Sequence, residues 1–214
     1  MSMLKSVLEQ FGASLRPLER SGVTIGHIIL LLLALDEMKT AGRRVLCQVL
    51  SLGEGTTRTV LGKLSALGVV QVSRAGARLS EQGKRLVSAI KSRISRPILL
   101  RAGEKLTLKK VNAALLIRGV QAESISVLEV RDDVIRFGGR GAVLLVKRET
   151  DLYIPPGNTR VSERYPSLYY ELEKRLQPED GDIILIGMGE ESISVMVAIL
   201  NAAVDILLES GSSE

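Results

Sequence analysis

GEGTTRTVLGKL, residues 53–64, supports two incompatible readings. Glycines and threonines at a helix start are the material of a phosphate-binding loop, and so of an enzyme. The same residues can form the turn and second helix of a helix-turn-helix, and so part of a DNA-binding protein. A Walker-type loop needs GxxxxGK[ST] after a buried strand, so that backbone N–H groups cradle the phosphates and the hydroxyl reaches a magnesium ion. The segment before Gly53, RRVLCQVLSL, has helical spacing instead, and Gly62-Lys63 is followed by Leu64. A dinucleotide fingerprint needs GxGxxG, and Arg58 stands where the third glycine belongs. Both loops fail on context.

A helix over 56–67 accounts for the same letters. At about 100° per residue, Val60, Leu61, Leu64 and Leu67 fall on one stripe that buries against the preceding helices. Arg58, Thr59, Gly62, Lys63 and Ser65 fall opposite, with Thr56 and Thr57 at the N-terminal end. That face offers hydroxyls to bond phosphates, cations to neutralise them and a glycine that permits close approach. A helix N-terminus aimed at DNA adds its dipole and free N–H groups. In VVQVSRAGARLS, two short extended runs flank Arg74-Ala75-Gly76, the pattern of a hairpin with Arg74 and Arg78 around its turn.

Working outward, the periodicity predicts a helix from Thr24, as N-cap, to Lys39. A second covers 42–50, with Val45, Leu46, Val49 and Leu50 on one face. Gly68 is placed as a C-terminal cap. Ser80 reads as the N-cap of a helix carrying Leu86, Val87, Ile90 and Ile94, which ends at Arg96-Pro97, a natural boundary. An amphipathic segment with Leu4, Val7, Leu8, Phe11 and Leu15 precedes all of this. The reading is therefore of two domains, 1–96 and 97–214.

Charge divides in the same place. Residues 1–96 hold 15 Lys/Arg against 6 Asp/Glu, and residues 97–214 hold 14 against 18. A basic first half raises the expectation of a polyanionic partner there, although charged faces are also simply solvated. The single cysteine, Cys47, excludes an intrachain disulfide and suits a reducing interior. The opening residues lack the apolar core and cleavage site of a secretory signal. The apolar run IILLLLAL, 28–35, is far shorter than the roughly 20 residues of a membrane span. A cytoplasmic protein with no membrane partner is expected.

The second half reads as strand 110–119, a helix through SISVLEVRDDVIRFG, a hairpin of strands 142–148 and 151–155, a helix through SERYPSLYYELEKRL, strand 182–187 and a long closing helix. LLIRGVQAESISVLEV and ILIGMGEESISVMVA echo one another as strand, glycine turn and helix, a duplicated unit or two answers to the same turn. The fold class expected is α+β: a winged helix-turn-helix followed by a two-layer α/β domain, with helices on one face of a mixed sheet. Arg140, among the glycines of FGGRGA, and Gly187 and Gly189, in the turn GMGEES, are candidate anion-binding positions. Glu190 and Glu191 at that helix start are also ordinary capping, and Arg140 also suits a solvated turn. One histidine, His27, and one cysteine cannot assemble a Cys/His zinc site or a convincing triad, so neither a metal, a cofactor nor a catalytic set is expected.

GEGTTRTVLGKLSALGVVQVSRAGARLSEQGKRL resembles the turn, recognition helix, wing and following helix of winged helix-turn-helix regulators, a likeness covering about residues 22–95. The whole chain, through RDDVIRFGGRGAVLLVKRETDLYIPPG, also resembles a group of archaeal two-domain proteins with a winged helix and a small α/β domain of no assigned activity. The resemblance implies a non-enzymatic regulator that binds double-stranded DNA through Thr56, Thr57, Arg58, Thr59, Lys63, Arg74 and Arg78. A homodimer reading two half-sites and a small-molecule effector at the second domain are the expected partners. A winged domain docking an acidic protein, and an enzyme housed in the second domain, are the alternatives.

Overall fold

The computed structural model describes residues 22–101, 106, 109–157 and 159–210; the amphipathic segment at 4–15 lies outside them. The chain forms two compact units, Met1–Lys91 and Ser92–Glu214. The division falls five residues before Pro97, because residues 93–95 pair with the second unit. Ser95 N–H donates to the Leu116 carbonyl at 2.9 Å, and Arg118 N–H to that of Arg93 at 2.8 Å.

In the first unit, α1 (Ile25–Met38) starts at Thr24, whose N–H donates to His27 Nδ1 at 3.1 Å. Its run Ile28–Leu35 is apolar all round and buried all round. Burial lowers the His27 pKa. After α1, Ala41 exchanges two backbone hydrogen bonds of 2.9 Å with Ala77, a one-residue strand fragment. Then follow α2 (Arg43–Leu50), α3 (Glu54–Ala66), the hairpin β1 (Val70–Ser73) and β2 (Gly76–Leu79), and α4 (Glu81–Lys91). On α2, Leu46 and Leu50 are buried, whereas Val45, expected on that face, is exposed. α3 ends as expected at Gly68: its N–H reaches the Ser65 carbonyl and Val69 N–H that of Leu64, the double bond of a glycine-terminated helix. Ser80 caps α4 by accepting from Gly83 N–H at 3.0 Å. A Cβ on Gly83 would lie 2.2 Å from the Val69 carbonyl oxygen, so α4 crosses the strand end at backbone distance.

The second unit is built on one six-stranded sheet. Its strands are β3 (Ile98–Leu99), β4 (Val111–Ile117), β5 (Gly141–Arg148), β6 (Asp151–Ile154), β7 (Thr159–Arg160) and β8 (Ile183–Gly189), in the order β3-β4-β8-β5-β6-β7. The helices are α5 (Val127–Arg136), α6 (Val161–Arg164), α7 (Pro166–Leu176) and α8 (Ser192–Ser210). The α+β class is as read from sequence, with two differences. Every described strand pair is antiparallel rather than mixed. β4 and β5, joined through α5, do run the same way, but β8 inserts between them and opposes both.

Helices also cover both faces, not one. On one side Ala114, Leu116, Leu145, Ile184 and Ile186 form a core with Val161, Leu168, Leu172 and Leu176 of α6 and α7. On the other, α8 lies on β4 and β8, and α5 on β5. Strands such as β4 and β8, buried along nearly their whole length, require cover on both sides. The two echoed segments differ locally: Ser126 caps α5, whereas its counterpart Ser194 lies inside α8. By length and composition α8 could cross a membrane, yet 11 of its residues are buried in this fold.

Gly187 and Gly189 set how closely α8 approaches. A Cβ on Gly187 would sit 2.3 Å from Ile199 Cγ2, and one on Gly189 2.7 Å from Val195 Cγ2. At Gly55 of α3 a Cβ would meet nothing within 4 Å. Gly187→Ala is therefore expected to destabilise by about 1–3 kcal/mol through overpacking, and Gly55→Ala to stabilise by up to about 1 kcal/mol through helix propensity, both read from urea unfolding.

Between α5 and α8, Arg136 bridges Asp133 at 2.9 Å and Asp205 at 3.0 Å. Burial, then the neighbouring Asp133 charge, pushes the Asp205 carboxyl up to about 6. A carboxyl raised in the folded state binds its proton more tightly there than when unfolded, so it reduces stability as pH rises from about 4 to about 6. Asp205→Asn should remove that slope. Thermal unfolding of both proteins across this window is expected to show Asp205→Asn gaining on wild type as pH rises; parallel curves would contradict it.

Candidate nucleic-acid interface

The candidate interface is the outer surface of the first unit, and α3 supplies its main face. Thr57, Val60, Leu61 and Leu64 point inward at i, i+3, i+4 and i+7. Arg58, Thr59, Gly62, Ser65 and Ala66 are exposed, while Thr56 and Lys63 are half-buried.

Thr57 is a correction. It was expected among the polar contacts, but it is fully buried, and Cys47 Sγ donates to its hydroxyl at 3.3 Å. Its spacing from Val60 and Leu61 places it on the inner stripe, so its hydroxyl helps seat the helix against α2. The helix also begins at Glu54, two residues before the expected start, with Gly53 as N-cap. The first turn therefore carries a carboxylate, which occupies the favourable end of the helix dipole. An anion meeting this face would find side-chain cations rather than an uncompensated helix N-terminus.

Arg58 has no hydrogen-bond or ion-pair partner among the described residues. Thr59 donates its hydroxyl to the Gly55 carbonyl at 3.0 Å, so that group is engaged within the helix. Arg74 sits exposed at the hairpin tip, where Ala75 N–H donates to Ser73 Oγ at 3.2 Å and closes the turn. Arg78 lies across the strand pair from Gln71, whose Oε1 accepts from its Nε at 3.0 Å. Val72, half exposed at 51%, leaves an apolar side chain open to solvent near the tip.

Sequence reading passed over Arg43 and Arg44. Both are exposed in the first turn of α2, without a partner among the described residues. Cations at a helix N-terminus oppose the dipole, and that mismatch was the available signal. Lys39, Arg78 and Lys84 also flank an open cavity of about 450 Å³ beside the hairpin, shared with Asp36 and Glu81. Lys84 already pairs with Glu81 at 2.7 Å and Lys39 with Asp36 at 3.8 Å.

The three anion-site candidates of the second unit do not converge on a cradle. Gly187 and Gly189 are buried, and the space beside each holds Ile199 or Val195 of α8. Their glycine identity reflects helix packing, which corrects the expectation that they contact a ligand. Arg140 is exposed, and its N–H donates to the Met188 carbonyl at 2.8 Å. A separate open cleft of about 290 Å³ lies by Gln121, Glu123, Lys147, Arg148 and Asp180. Lys147 there is engaged with Glu173 at 2.7 Å. Among the described residues, no group of three or more His, Cys, Asp or Glu side chains is placed to hold a metal ion.

Against known proteins, residues 24–85 match the family described as PH0730-like, N-terminal domain. Residues 108–206 match a domain of unknown function, DUF4443. Among solved structures, the hypothetical protein PH0730 from Pyrococcus horikoshii OT3 is similar at 24% identity and a TM-score of 0.70, covering 90% of this chain and 95% of its own. No curated protein matches. The two models thus match successive parts of the chain, and the likeness to the solved structure is one of fold.

Proposed function

We propose that the chain is a DNA-binding transcriptional regulator whose first unit is a winged helix. α3 is the recognition helix, and β1 and β2 form the wing. The observation that carries the reading is the division of α3. Its inner stripe is wholly buried, and beyond Glu54 in the first turn its outer face is short-chained and uncharged except for Arg58 and Lys63. The Ala41–Ala77 pairing supports it, because it ties the chain between α1 and α2 to the wing as a third strand fragment. Arg74 at the wing tip and Arg43 and Arg44 on α2 are exposed cations for the phosphate backbone. The second unit serves dimerisation or effector sensing and performs no catalysis in this account. Its cleft by Arg148 and Asp180 is where an effector would enter. A homodimer presents two recognition helices to half-sites about 34 Å apart. Val45 and Val72, exposed on the first unit, favour a second reading, in which the winged domain docks a protein.

The test is binding of wild type and the Arg58→Ala, Lys63→Ala double variant to duplex DNA across a salt series. Each phosphate contact contributes about −0.9 to the slope of log K against log salt. Salt-sensitive binding that weakens in the variant, with a shallower slope if the cations touch phosphate, is expected. Equal, weak binding by both proteins contradicts the recognition-helix assignment and favours the protein-docking reading.

A further inference from the structure

The outer stripe of α3 consists of Gly55, Arg58, Thr59 and Gly62, spaced i, i+3, i+4 and i+7. At Gly55 and Gly62 a Cβ would meet nothing within 4 Å, so no packing inside the protein calls for glycine. Glycine inside a helix is nonetheless less favourable than alanine. Thr59 has its hydroxyl on the Gly55 carbonyl at 3.0 Å, and the group left for a partner is its methyl. The same side continues to Ser65, which adds one short hydroxyl; Arg58 alone offers a forked set of side-chain donors to a neighbouring molecule, and no described residue holds them.

From this we infer that Arg58 is the residue through which α3 reads base sequence, and that the base it reads is guanine. The inference rests on the proposed DNA-binding function. A guanidinium presents a planar fork of N–H donors. In the major groove, guanine presents two acceptors, O6 and N7, that the fork meets together, whereas adenine places a donor where O6 would be. The bare positions one turn to either side let the helix backbone come close to the groove floor, where a single long side chain spans the remaining gap. Lys63 lies beside the stripe and is half-buried, and its ammonium is a compact point charge without the planar fork that meets O6 and N7 together, so its part is charge rather than base choice. The Thr59 methyl makes apolar contact without competing for the guanine edge.

The experiment is selection from a randomised duplex DNA pool at low salt, with the full chain as wild type and as Arg58→Ala. Wild type is expected to enrich sites with a strongly selected guanine, whose replacement weakens binding about tenfold or more. With Arg58→Ala that position should become indifferent while the other selected positions persist. If the variant keeps the guanine preference and merely binds more weakly to every sequence, Arg58 is a phosphate contact and the inference is overturned, with DNA binding intact. Salt-sensitive wild-type binding that enriches no sequence overturns it equally. If wild type retains no duplex at all, the proposed function itself fails and the inference falls with it. Arg58→Gln gives an independent check, since a glutamine amide pairs with adenine N6 and N7. A switch from guanine to adenine at that one position supports the assignment, and an unchanged guanine contradicts it.

Discussion

Thr57, Val60, Leu61 and Leu64 hold α3 by one side, and all four are at most 5% exposed. Burying three aliphatic side chains at about 1.5–3 kcal/mol each fixes both the position and the rotation of the helix. The Cys47–Thr57 hydrogen bond satisfies the polar group that this stripe takes out of water. Once the rotation is set, 3.6-residue periodicity dictates which residues face outward. Rotating α3 by one position would bury Arg58 and expose Val60 and Leu64, costing far more than any contact on the outer face returns. The outer surface is therefore a consequence of the inner one.

The second unit obeys a comparable constraint at β8. This central strand is buried along its whole length and is paired on both edges with β4 and β5. Side chains on alternate faces reach the α6–α7 layer and the α5–α8 layer. Gly187 and Gly189 both point toward α8 and contribute no side chain, so that helix packs directly on the strand backbone. Two glycines that resemble a ligand loop in one dimension are thus contact points of a core in three.

The order of elements was legible because each has a strong local signal: Thr24 and Ser80 at helix starts, Gly68 at a helix end, and an Arg-Ala-Gly turn between extended runs. The two-residue strand β3 was missed, because so short a strand has no periodicity of its own. The break between α6 and α7 at Tyr165 was missed although Pro166 marks it, since proline fits the first turn of a helix and so opens the second one. The sheet was misread as mixed because adjacency is a long-range property: nothing in the letters of β4 and β5 says that β8 will come between them. Thr57 was misplaced by weighing its hydroxyl over its spacing, and Gly187 and Gly189 by weighing their loop pattern over the long apolar helix that follows. The polar face around Arg58 and Lys63 was legible because the buried stripe beside it was.

The central claim is that the outer face of α3 and the hairpin tip meet DNA. Amide chemical-shift mapping of the full chain on titration with duplex DNA addresses it most directly. Gly55 and Gly62, on the exposed stripe, are convenient reporters. The account predicts that Gly55, Arg58, Thr59, Gly62 and the Arg74–Ala75 turn shift together and lose exchange with solvent. Shifts confined to residues 92–214, or spread without regard to the two faces of α3, would contradict it.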